Sequence, residues 1–280
     1  MSREARGMMS REARRLRLKR AARRCFAALW PPLAFGALVL GGWEAGARWG
    51  GLDPMMLPAP SEIAEQFQLG FASGLYPQHL GVTLLQAMIG FGIAICAGVG
   101  IGALISAVPL VERTLNPFLI AFEAMPKIAM APLVIVWFGY GIWSKVVLAA
   151  AIAFFPVLVS TILGLRACEP GRLDVLRCLG ASRAQVFRLV RLPSALPFIF
   201  SGINVAVVFV LLGAIVGEFV GAKAGLGTLI LAANENLETA RVFSILALLA
   251  GMGMLLHFGV TALRQRLLFW AGPQAGPPTA

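Results

Sequence analysis

Long apolar runs alternate along the chain with short polar stretches. Six such runs, at about 26–46, 84–108, 116–139, 146–165, 195–217 and 243–263, predict six helices. Each approaches or exceeds the roughly 20 apolar residues that a helix needs to cross about 30 Å of hydrocarbon. The expected fold class is therefore all-α: a polytopic membrane protein with about six transmembrane helices. Ala45-Gly46-Ala47 has the small residues of a signal-peptide cleavage site. The first run is nevertheless longer than a typical signal core and five more follow, so it reads as a span.

Composition supports this reading and excludes an ordinary cytosolic enzyme: of 280 residues, 59% are hydrophobic and 13% charged. The formal net charge of +11 is concentrated in residues 1–24, which hold ten basic and two acidic side chains. A short Arg-rich segment directly before an apolar span reads as a topology signal and a contact for anionic lipid, not as a nucleic-acid site. With the amino terminus placed in the cytoplasm, 19 Lys and Arg residues fall on the inner side and 4 on the outer, with Lys127 inside a span. The positive-inside rule then puts both termini in the cytoplasm. Trp43, Trp49, Trp137, Tyr140 and Trp143 fall at the outer ends of the first and third runs, as an aromatic belt would. The chain divides into a basic tail at 1–24, a first helix and outer loop at 25–75, a five-helix core at 76–263 and an inner carboxyl tail at 264–280. Cys25, Cys96, Cys168 and Cys178 have no paired spacing and support no disulfide framework.

The inner loop at 167–194 is too polar to span and strongly patterned. Pro170 and Gly171 punctuate its start, and Leu173, Leu176 and Leu179 recur at helical spacing until Gly180 interrupts. Ser182 and Gln185 stand as a capping box for a second short helix, along which Val186, Leu189 and Val190 form an apolar stripe beside Arg183, Arg188 and Arg191. The segment closes at Leu192-Pro193. Two short helices hinged at Gly180 are expected; by composition alone they could also lie on the inner leaflet.

Asp174-Val175-Leu176, Gly180, Val190 and Leu192-Pro193 fall at the spacing of the EAA motif, which permease subunits of ABC importers carry between two late spans. The first three positions read DVL instead of EAA. From about Pro58 to Trp270 the chain resembles the type I importer permeases that handle nitrate, sulfonates and taurine. The similar stretches include LPAPSE at 57–62, HLGVTLLQAMIGFGIA at 79–94, MPKIAMAPLVIVWFGYG at 125–141 and EFVGAKAGLGTLI at 218–230. Gln86 departs from the pattern, since relatives often have Arg there.

The resemblance implies an inner-membrane permease paired with a second copy of itself, two ATPase subunits and a periplasmic substrate-binding protein. ATP and Mg would be held by the ATPase, leaving no cofactor in this chain. The loop would be a coupling helix, with Asp174, Leu176, Leu179, Gly180, Ala181, Ser182, Arg183, Val186, Leu192 and Pro193 docking on the ATPase, and Leu176, Leu179 and Val186 supplying buried contact. The stretch 222–236, with Gly225 and Gly227 allowing a sharp turn, would form a short helix at the outer gate.

Charged groups inside a span are costly unless they pair or face water, so Glu123 and Lys127, four apart with Pro126 between them, mark a candidate translocation path. An ion pair between helices is the structural alternative. Glu218, at the outer end of the fifth run, is a weaker candidate because it could be solvated in the interface, and Glu44 reads as an interfacial carboxylate. Gly98 and Gly102 have the spacing of close helix packing. No lysine follows a glycine, so there is no Walker A loop, and neither HExxH, GxSxG nor a cysteine cluster occurs. The chain is expected to be a transport subunit and not an enzyme, with no metal site. An ion-coupled transporter working without an ATPase is the competing class, and a membrane scaffold a third.

Overall fold

In the computed structural model the described residues are 30–270, apart from 32, 33, 52 and 54. The basic tail and the first residues of the first predicted run lie outside them. The chain divides into two compact units, residues 1–66 and 67–280.

In the first unit, helix α1 covers residues 34–49 and leads toward α2 (Pro60–Ala72), which continues into the second unit. Pro60 sits at the first helical position, where its missing N–H removes nothing the helix would use. Two N–H groups flanking it, those of Ala59 and Ser61, are met by carboxylates. Glu44 accepts from the Ser61 N–H (3.0 Å) and the Ser61 hydroxyl (2.8 Å), and Glu62 reaches back to the Ala59 N–H (3.2 Å). Glu44 is therefore a structural partner of the LPAPSE segment, more than the interfacial carboxylate the sequence suggested.

The second unit is built around α3 (Leu75–Ala107), α6 (Ile142–Arg166) and α9 (Leu192–Gly221). Lipid tails are as apolar as leucine, so these helices associate through close packing, and small residues set how close they come. A Cβ on Gly98 would lie 2.8 Å from Val157, one on Gly102 2.9 Å from Thr161, and one on Gly213 2.6 Å from the Ala149 backbone. The Gly98 and Gly102 pair thus packs α3 against α6 as its spacing predicts. Ala87, Ala149, Ala153, Ala195, Ala206 and Ala214 fill the same seam.

Among the described residues four helices are long and apolar enough to cross a membrane: Leu75–Ala107, Ile142–Arg166, Ala184–Gly221 and Thr239–Leu267, the last being α11. The predicted third run is broken. Helix α4 (Pro109–Ala124) stops before Met125-Pro126, a short 3₁₀ turn covers Lys127–Met130, and α5 (Ala131–Phe138) leaves at 84°. Pro126 drives Met125 into an extended conformation (φ −67°, ψ 133°) and cannot donate to the helix, which explains the break. The loop at 167–194 contributes α7 (Pro170–Cys178) and α8 (Arg183–Val186), and the stretch 222–236 contributes α10 (Leu226–Glu235). Leu226 and Leu229 pack with Tyr76, Ile245 and Leu248 in a second small core.

Replacing Gly213 with Val should cost about 1–3 kcal/mol through overpacking of the α6–α9 seam. Gly92→Ala, where an added Cβ meets nothing within 4 Å, should be neutral or better. Thermal unfolding of the two variants in detergent, compared with the parent, checks both.

Candidate functional site

Three places in the fold concentrate polar chemistry. The first is the inner loop. Helix α7 ends at Gly180, which takes a left-handed φ of 74°, while the Ala181 N–H bonds back to the Leu176 carbonyl at 3.0 Å. This is the glycine-terminated helix end in which a side chain would be strained. The capping box forms as its residues predict: the Gln185 side chain accepts from the Ser182 N–H (2.8 Å), and Ser182 Oγ accepts from the Gln185 N–H (3.3 Å).

The second predicted short helix is not separate. From Arg183 the backbone runs through α8 and a π-turn at Phe187–Arg191 straight into α9. The Leu192 N–H reaches the Phe187 carbonyl, one residue further back than in an α-helix. Pro193 has no N–H to give the Leu189 carbonyl and its ring crowds that group, so the widened turn relieves the clash. The motif's Leu192-Pro193 is thus the joint between loop and span. Val186 is turned inward and only 8% exposed, and Leu176 is half-buried, whereas Val175 (61%) and Leu179 (76%) stand out from the surface. Asp174 and Ser182 are exposed and Ala181 half-buried on the same loop.

The second place is a cavity of about 310 Å³ lined by Glu123, Lys127, Phe155, Pro156, Ser160 and Phe209, among others. Glu123 and Lys127 do not share one helical face, because the Pro126 break falls between them. They converge all the same: Lys127 Nζ donates to the Glu123 backbone carbonyl (3.1 Å) and stands 4.5 Å over the Phe155 ring. Among the described residues no carboxylate lies within ion-pair distance of Lys127. A cation on a ring is stabilised by about 0.5–2 kcal/mol, most where water is excluded.

The third place is the start of α10. Glu218 is fully buried, not solvated as its position in the sequence suggested. Three consecutive backbone N–H groups at this helix start are each met by a side chain from another helix. Gly225 donates to His79 Nδ1 (3.0 Å), Leu226 to Thr83 Oγ1 (2.8 Å) and Gly227 to Glu218 Oε2 (2.6 Å). The Thr83 hydroxyl in turn donates to Glu218 Oε1 (2.8 Å). The positive end of the helix dipole also faces the Glu218 carboxylate. Both glycines are required by space: a Cβ at Gly225 would run into the Glu218 carboxyl group, and one at Gly227 would stand 2.8 Å from Glu218 Cβ. Next to this clamp, Lys145 is 1% exposed and donates to the Gly221 (2.7 Å) and Tyr140 (3.0 Å) carbonyls, tying the end of α9 to the α5–α6 connection.

Residues 80–269 match the family model described as binding-protein-dependent transport system inner membrane component. The chain belongs to this family. It is 36% identical over 244 residues to the riboflavin transport system permease protein RibX of Chloroflexus aurantiacus, covering 86% of this chain and 91% of that protein. It is 32% identical over 241 residues to the taurine transport system permease protein TauC of Escherichia coli, covering 84% and 88%. Among solved structures, the inward-facing MetNI methionine ABC transporter shares the fold, with a TM-score of 0.60 at 21% identity over 67% of this chain and 94% of that one. This permease is therefore a multi-pass inner-membrane subunit of an ABC importer, a class that works with an ATPase and a binding protein.

Sequence reasoning missed Thr83, His79 and Lys145. Thr83 and His79 are one helical turn apart where α3 enters its apolar run, a polar pair that could have been noticed. Lys145 is one of the four cations, with Arg48, Lys223 and Arg241, that the charge count assigns to the outer side. Gln86, one turn beyond Thr83, is 3% exposed, and among the described residues its Oε1 has no hydrogen-bond partner.

Thr83→Val should leave the buried Leu226 N–H and Glu218 Oε1 each without a partner, at about 1–3 kcal/mol per orphaned group. Hydrogen exchange across 225–230 should rise well above the parent, while exchange in α6 stays unchanged.

Proposed function

We propose that this permease works as a homodimer with two ATPase subunits, which bind the ATP and Mg, and receives a small anionic solute from a periplasmic binding protein. Both termini lie in the cytoplasm, so α7 and Gly180 face the ATPase and α10 faces the outside. The chain itself performs no hydrolysis. The systems to which RibX and TauC belong move riboflavin and taurine by name, and taurine-, sulfonate- or nitrate-like anions suit the Lys127 cavity.

One observation carries the reading. The helix from Ala184 to Gly221 is 38 residues long, about 57 Å at 1.5 Å per residue, and joins the inner docking loop to the outer clamp. Val205 and Phe209 on its flank line the cavity between. A rigid-body movement imposed on Val175 and Leu179 by a closing ATPase passes through the Gly180 turn and its capping box and then runs along this one helix past the solute path to the clamp that holds α10. Glu123, Pro126 and Lys127 act on the solute directly. Glu218, Gly225 and Gly227 hold the outer helix that borders the path.

Two experiments test this. In proteoliposomes containing the complete transporter, Gly180→Trp should retain basal ATP hydrolysis and lower uptake at least tenfold, and uptake at the parent rate would overturn the docking role. A cysteine placed at Ser182 in a variant lacking native cysteines should react with a membrane-impermeant maleimide only after cells are opened. Labelling of intact spheroplasts would reverse the topology.

A further inference from the structure

Two lysines of the second unit, the buried Lys145 and the half-buried Lys127, differ in how their charge is met, and the difference points to a selective role for one ring. Lys145 has two backbone carbonyls within 3.0 Å and is sealed from solvent. Lys127 has one carbonyl, the Phe155 ring and the open side of a cavity. Its position on the ring is a holding arrangement, because a quadrupole stabilises an ammonium less than a fixed negative charge does at low dielectric.

We infer, resting on the reading of this cavity as part of the solute path, that Phe155 is a specificity-determining residue: its ring holds the Lys127 ammonium until a solute replaces it, so the site favours anions carrying an apolar or aromatic body over bare inorganic anions. Three observations support this. An anion that draws the ammonium away uncovers the ring face, and only a solute with an apolar body covers it again. The cavity, at about 310 Å³, is at the small end of the range for organic ligands and is walled by Ile152, Val159, Val205 and Phe209 as well as Phe155. Glu123, on the same lining, disfavours a second negative group, so a monoanion fits best. Phe155 is followed by Pro156 inside α6, and Phe154 meets its edge at a centroid distance of 5.2 Å, which holds the ring in place.

The test is direct binding of three probes, nitrate, hexanesulfonate and benzenesulfonate, to the purified permease–ATPase complex in nanodiscs, measured by calorimetry without the binding protein. The parent should bind both sulfonates at least tenfold more tightly than nitrate. Phe155→Leu keeps the apolar wall but removes the π face. It should raise nitrate affinity about fivefold and narrow the preference to within about threefold. Phe155→Tyr, which keeps the face, should retain the parent preference and shows that the leucine result is not a folding defect. Lys127→Gln should abolish binding of all three anions. If Lys127→Gln abolishes binding but Phe155→Leu leaves the preference intact, the role of Phe155 is wrong and the path reading stands. If the parent binds no probe, or Lys127→Gln binds as the parent does, the path reading and the inference both fail.

Discussion

Three backbone N–H groups point from the start of α10 into the protein, and three side chains meet them. In a bilayer-embedded fold, polar backbone that is neither helical nor hydrated has to find partners inside the protein, so an irregular connection such as 222–225 is tolerable only where the protein supplies them. His79, Thr83 and Glu218 supply them here, and Gly225 and Gly227 let the backbone come close enough. This clamp makes α3, α9 and α10 one body at this end of the bundle. Without it, α10 would be held back only by the packing of Leu226 and Leu229 on Tyr76, Ile245 and Leu248.

At the opposite end of α9 the constraint is a missing donor. Pro193 forces the turn at Phe187–Arg191 to widen, but the helix continues through it. A widened turn transmits force, since its hydrogen bonds are intact, and re-aims the chain relative to a straight helix. The loop residues that reach the surface, Val175 and Leu179, are separated from this helix only by the Gly180 end of α7 and the capping box that follows. Loop, cavity wall and clamp are therefore attached to one rod.

Charge within the bundle follows a corresponding division. Glu218 and Lys145 are buried, each makes two hydrogen bonds and each is tied to backbone, the pattern of groups that fix a structure. Glu123 and Lys127 stand at a helix break beside an open cavity, with their charges met only in part. Two residues of the same type thus differ in their surroundings: Lys145 is closed in by backbone carbonyls, and Lys127 faces a cavity.

Features that depend on composition and short spacing are legible in the chain alone. Apolar runs set the helices, since a helix satisfies its own backbone in lipid. Gly180, Ser182 and Gln185 set the helix end and the capping box, and Gly98 with Gly102 set the α3–α6 contact, because each of these is an interaction over three or four residues. Only the tertiary structure decided which polar groups are held and which are free. Thr83 and Glu218 are 135 residues apart, and Lys145 and Gly221 76 apart. The break at Pro126 and the continuity from α8 into α9 were likewise settled by packing around the prolines, since a proline can end a helix or merely widen it according to what its neighbours allow. Long-range pairing leaves no periodic trace in a chain, which is why Glu218 read as solvated and Lys145 as a loop cation until the helices were brought together.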